Sequence, residues 1–160
     1  MHVQHYVRLA IMTVLMFIAM YVLMYAMVDR IENVYPNVNQ FYLAGLMTAP
    51  MVLIELAVMW GMYPNRPTNL VIAAVSLALF IGFWFGIRQQ TAVQDEQFVK
   101  SMIPHHAGAI LMCEEASITD PELKDLCGQI IASQRAEIGQ LKTILLRLES
   151  QGGTTPVAAR

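Results

Sequence analysis

Charge is what this sequence has least of. Asp, Glu, Lys and Arg together make up 14% of its 160 residues, against 56% hydrophobic residues. A soluble domain carries about 25% charged residues, so the composition excludes an ordinary water-soluble globule. Basic clusters are also missing and the net charge is −2, which leaves nucleic acid out as a partner. Two cysteines are too few for a disulfide framework, though one bridge can form. Neither a nucleophile–base constellation nor a phosphate-cradling glycine loop occurs, so no enzyme is expected.

What fills the chain instead is long apolar runs. Residues 6–28, 41–63 and 69–87 are each long enough to cross a bilayer. The first lacks the short apolar core and small-residue cleavage site of a secretory signal and reads as a retained anchor. A polar loop, Asp29–Gln40, follows it, and a tight turn with Pro64 and Pro67 follows the second run. The expected organisation is a three-helix transmembrane domain over 1–90, a helical hairpin over 91–150 and a mobile tail over 151–160. Three spans put the chain ends on opposite sides of the membrane. The N-terminal amine, Arg8 and Arg66 share one side, and Arg30, Arg88 and the more distant Lys100 the other. The bias leans toward a cytoplasmic N-terminus, placing the hairpin outside the cytoplasm.

Within the spans, Glu55 stands near the centre of the second run, where a carboxylate is costly and must face protein or water. Met12, Met16, Met20 and Met24 recur every fourth residue, as do Met47 and Met51; they read as packing or lipid-facing residues, with a thioether ladder as the alternative. Gly82 and Gly86 form a small-xxx-small pair suited to close helix approach.

After Arg88 the composition changes. A polar joint, Gln89–Gln94, leads into a helix over about Asp95–Ser117 with Pro104 inside it. At about 100° per residue, Phe98, Met102, His105, Ala109 and Met112 form one stripe. Asp95, Met102, His106 and Cys113 run beside it. A thioether placed one turn before two imidazoles suits a soft, late transition metal, while the bland reading is two ordinary polar histidines on an amphipathic helix. A turn at Ile118–Pro121 follows, with Thr119 to Glu122 able to form a capping box and Asp120-Pro121 an N-cap and first-turn pair. The second helix runs to about Ser150 with Cys127, Ile131, Gln134, Ile138, Leu141, Leu145 and Leu148 as its stripe. An antiparallel turn near residue 119 sets His105 level with Gln134 and Met102 level with Glu137. The same register sets Cys113 level with Cys127, as a disulfide outside the cytoplasm or a thiolate pair in a reducing compartment. Neither helix can bury its whole apolar arc against the other, so a homodimer making a four-helix bundle, or docking in a larger complex, is expected.

The pattern Asp95-x-x-Phe98-x-x-x-Met102-Ile-Pro-His105-His106-x-x-Ala109-x-x-Met112, followed by Pro121-Glu122-Leu123 and Ile130-x-x-x-Gln134-x-x-Glu137-Ile138, resembles the bacterial family catalogued as domain of unknown function 305. The resemblance covers about residues 94–149. It implies a ferritin-like helical fold and, through CopM-type members, a periplasmic domain that binds copper. Many members carry two such hairpins and this chain carries one. The Glu-x-x-His pairs of a ferritin-like di-iron site are missing, because Met102 and Ile103 occupy those positions.

The expected fold is therefore all-α: three transmembrane helices and an extracytoplasmic antiparallel hairpin, half of a four-helix bundle, in a bacterial inner membrane. The expected function is copper binding or homeostasis, with Cu(I) or Cu(II) at Met102, His105, His106 and Met112. Asp95, Gln134 and Glu137 are orienting groups or further ligands. The alternatives are a structural accessory subunit of a larger membrane complex and, behind it, copper permeation. For permeation, Met47-x-x-x-Met51 and Gly82-x-x-x-Gly86 resemble features of eukaryotic copper transporters.

Overall fold

The computed structural model describes residues 3–152. Among these residues there are five α-helices and no strand: α1 (Val3–Leu23), α2 (Val38–Val58), α3 (Arg66–Arg88), α4 (Asp95–Glu115) and α5 (Pro121–Gly152). Short 3-10 turns occupy Met24–Met27, Ile31–Asn33 and Trp60–Met62. Three segments, Gln4–Met27, Val38–Val58 and Arg66–Arg88, are long and apolar enough to cross a membrane. The tail expected from residue 151 lies outside the described residues beyond Gly152.

The chain divides into two compact units. The first joins Met1–Met24 to Asn39–Thr91 and contains the three apolar helices. Leu9 of α1 packs with Val52 and Leu56 of α2 and with Tyr63, and Met12, Met59 and Ile72 close around them. α2 stops at Val58 because the chain turns through Trp60–Met62 ahead of Pro64. Glu55, expected near the centre of a span, therefore sits in the last turn of α2. Tyr63 Oη donates to Glu55 Oε1 at 3.2 Å. Beside it, the fully buried Asn69 donates to the carbonyl of Tyr63 at 2.8 Å and accepts from Tyr6 Oη at 2.8 Å. Glu55, Tyr63, Asn69 and Tyr6 thus partner one another, as the cost of burying polar groups bare favours.

The close helix approach is not where the glycine pair suggested. A Cβ on Gly82 would meet nothing within 4 Å, whereas one on Gly45 would lie 2.3 Å from the Phe83 ring and one on Gly86 3.2 Å from the Tyr42 ring. Gly45 of α2 and Gly86 of α3 each take in an aromatic ring from the other helix. Phe83 cannot easily yield, since Phe41 and Tyr42 stand against it at ring separations of 5.9 and 6.4 Å. α3 begins at an Asn65 cap whose side chain accepts from Thr68 N at 3.2 Å. It ends in a strained joint: Gln90 and Ala92 hold φ of 51° and 58°, a region that non-glycine residues seldom enter.

The second unit is Tyr25–Val38 together with Ala92 onward, so the boundary expected at residue 90 is incomplete. The loop after α1 was expected to belong with the spans, yet it packs on α4. Val28 and Tyr35 join a core of Val99, Ile103, Ala107, Ile110, Ile138 and Leu145. Gly108 admits the loop, because a Cβ there would come 3.3 Å from the Met27 carbonyl. Gln97 accepts from Val38 N at 3.0 Å and Ser101 Oγ donates to Asn37 Oδ1 at 3.2 Å. Inside the loop, Asn33 Nδ2 donates to Asp29 Oδ1 and Tyr25 Oη to the Tyr35 carbonyl.

α4 consequently has three sectors. Val99, Ile103 and Ile110 pack with α5 residues, and Gln97, Ser101 and Gly108 meet the loop. The third sector, Phe98, Met102, His105 and Met112, is the stripe expected to face the core. It stays open, with Phe98 51% and Met112 54% exposed. The observed core stripe lies one residue later. On α5 the expected stripe holds: Cys127, Ile138 and Leu145 are buried, and Ile131, Gln134, Leu141 and Leu148 are half-buried.

α4 and α5 run antiparallel, joined by the non-helical residues 116–120, in which Ile118 N donates to the Ala116 carbonyl at 2.8 Å. Asp120 Oδ1 caps α5 by accepting from Leu123 N at 2.9 Å. Cys113 and Cys127 form a disulfide with Cα atoms 5.3 Å apart. At the far end, Lys100 Nζ pairs with Glu96 at 2.5 Å and Glu149 at 3.5 Å. The bond to Glu96, helped by Glu149 and opposed by burial, raises the lysine pKa above its usual 10.5. A raised ammonium pKa stabilises the fold at all lower pH and fades only as pH rises through the raised value.

Two outcomes follow for stability. Gly45→Ala, read by thermal unfolding of the full chain in detergent, should cost about 1–3 kcal/mol from overpacking, while Gly82→Ala leaves the midpoint in place. Equal midpoints would contradict the ring-into-glycine contact. Reducing the Cys113–Cys127 bond, which closes a loop of sequence separation 14, should cost about 3 kcal/mol, seen as a lower midpoint in reductant that Cys113→Ser reproduces.

Candidate metal site

Between the disulfide and the Lys100 cluster, α4 and α5 part to form a groove of about 300 Å³. Phe98, Leu141 and Ile144 supply apolar walls, and Met102, His106, Glu137 and Gln140 supply the donors. His106 is 9% exposed, held there because its position falls beside the α5-facing sector of α4. Its Nδ1 lies 3.0 Å from Glu137 Oε2. The approach is off the direction of the ring N–H, and the buried nitrogen makes no aligned hydrogen bond. The two groups touch without an aligned hydrogen bond between them. Glu137 is 47% exposed in its side chain and also accepts from Ser133 Oγ at 3.2 Å.

The expected site residues are only partly brought together. Met102 and His106 share the groove with Glu137. His105 is exposed, with its ring centroid 6.0 Å from that of His106 and the planes at 65°. The adjacent positions put the His106 ring in the groove and leave the His105 ring outside its lining, the two still in edge contact. Met112 is exposed about 15 Å along α4 from Met102, at 1.5 Å per residue, and Asp95 is exposed at the first turn. Gln134, expected level with His105, is half-buried and does not line the groove. The expected register is met at Cys113 and Cys127, and Glu137, expected level with Met102, shares the groove with Met102 and touches His106 one turn on. Of the α5 residues in the groove, Gln140 went unread in the sequence, though it follows Glu137 at i+3, on the same helix face.

A thioether, an imidazole and a carboxylate across one groove are a fitting donor set for a soft or borderline metal. Among the described residues no three His, Cys, Asp or Glu side chains come close enough together to hold an ion. One chain therefore offers a partial set: one imidazole, one carboxylate and one thioether.

Residues 87–153 match the family described as Domain of unknown function (DUF305). The chain is similar to Uncharacterized protein L153 of Acanthamoeba polyphaga mimivirus, 32% identical over 111 residues, which is 68% of this chain and 71% of the relative. That length cannot fit inside the 87–153 match, so the likeness reaches back into the preceding apolar helices. No solved structure matches. On its hairpin and on this relative, the chain belongs to the Domain of unknown function (DUF305) family.

Proposed function

We propose that this protein is a membrane-anchored binder of a soft or borderline transition metal, copper foremost, in copper binding or homeostasis on the extracytoplasmic side. The observation that carries it is the opening of Met102, His106 and Glu137 onto one groove, with a buried His106 ring nitrogen lacking an aligned hydrogen bond. In this reading His106 supplies a ring nitrogen and Met102 a thioether, and Glu137 either completes the set or holds the imidazole in orientation, the usual role of a carboxylate beside a ligating histidine. The hairpin is half of a ferritin-like four-helix bundle. The plasma membrane of a bacterium is the proposed location, with α1 entering from the cytoplasm. The Cys113–Cys127 disulfide supports an oxidising compartment for the hairpin.

A second reading is an accessory subunit of a larger membrane complex. It is favoured by Leu123 and Leu126, 45% and 48% exposed beside the turn. Permeation has less support, since Met47 and Met51 are 42% and 39% exposed on the outside of the three-helix unit.

Metal titration of the full chain in detergent separates these readings. His106→Asn should weaken copper binding at least tenfold. Met102→Leu should weaken Cu(I) more than Cu(II), because sulfur favours the softer ion. Unchanged titrations in a Met102→Leu/His106→Asn chain would remove the site and leave the accessory reading. Orientation is read by thiol labelling in intact cells of a Ser150→Cys chain whose native cysteines are replaced. Labelling before permeabilisation is expected, and labelling only afterwards reverses the topology.

A further inference from the structure

We infer that the metal site is shared between two copies of this chain: the open sector of α4 packs on the same sector of a second copy, and His105 of each copy enters the groove of the other. This rests on the metal-binding reading above and goes beyond it.

Three observations converge on the second copy. The groove holds too few donors, since one chain supplies a single imidazole and the described residues contain no closed ligand cluster. The chain's own His105 stands exposed and is not among the residues that line the groove. It does, however, share the open sector with Phe98 and Met112, whose large apolar side chains are about half exposed.

The remaining two sectors of α4 are already occupied by α5 and by the Tyr25–Val38 loop. A further helix that packs on α4 must therefore arrive on the sector that carries His105. A hetero-partner would need to bring its own imidazole there; a second copy brings one by construction. A two-fold contact is self-complementary, so each groove would gain one imidazole and the two sites would be equivalent. The set then becomes two imidazoles, a thioether and a carboxylate, four donors for a copper ion.

Subunit complementation tests this. Full chains with two different tags, one carrying His105→Ala and the other His106→Asn, are co-expressed in one membrane and recovered through both tags. Cu(I) is then titrated against a chromogenic Cu(I) chelator. Each homodimeric variant should bind Cu(I) at least tenfold more weakly than wild type. The mixed dimer should recover one Cu(I) of wild-type affinity per two chains, half the wild-type capacity, because one of its two sites has both imidazoles intact. A mixed dimer no better than either homodimer places both donors within one chain and overturns the proposal, as does failure to recover any doubly tagged species. Met112→Asp lies outside the groove and leaves its lining unchanged; it should weaken Cu(I) through lost docking, and wild-type affinity in that variant overturns the shared face. If wild-type protein takes up no Cu(I), the metal reading itself fails; wild-type uptake without complementation sinks only the sharing.

Discussion

The seating of the Tyr25–Val38 loop on α4 is the contact on which the rest of the second unit depends. It requires Gly108, where a side chain would press on the Met27 carbonyl. It brings Val28 and Tyr35 onto Val99, Ile103 and Ile110. Both side chains are half-buried there, so each contributes less than the roughly 1.5–3 kcal/mol of a fully buried side chain. By covering one sector of α4, the loop also decides which sector is left to carry chemistry. The groove with Met102, His106 and Glu137 opens on the side the loop does not reach.

In the first unit the corresponding constraint is satisfying polar groups in an apolar setting. Tyr6, Asn65, Asn69, Tyr63 and Glu55 bond one another near the α2–α3 turn, so the carboxylate that reads as anomalous in the sequence has a phenol partner. Helix contact is made by rings seated on glycines, Phe83 on Gly45 and Tyr42 on Gly86, rather than by two glycines of one helix.

Much of this was legible from the chain. Apolar run lengths gave the three long helices to within a few residues, because hydrophobic length is a one-dimensional property. The α5 stripe was legible because only one of its faces is apolar. α4 was not, since Phe98, Met102 and Met112 compete with Val99, Ile103 and Ile110 for the core. Only the arrival of a distant loop breaks that tie, and periodicity carries no record of it. His105 and His106 were read as a pair because they are adjacent in sequence; on a helix adjacency separates them, leaving one buried and the other exposed. The register was legible at the turn, where Cys113 meets Cys127 and Asp120 caps α5; Glu137 reaches His106 one turn from its expected level because both side chains lean toward the N-termini of their own helices.

The hairpin is fastened differently at its two ends. A covalent bond closes the tip at Cys113 and Cys127, and a lysine shared between two carboxylates closes the base at Lys100. The groove lies between these fastenings, like the middle of a beam clamped at both supports. Along the stretch between them, Ile103 and Ile110 of α4 share a core with Ile138 and Leu145 of α5. Salt slackens only the lower clamp, a reductant only the upper, so the same opening has two independent stiffnesses, one ionic and one chemical.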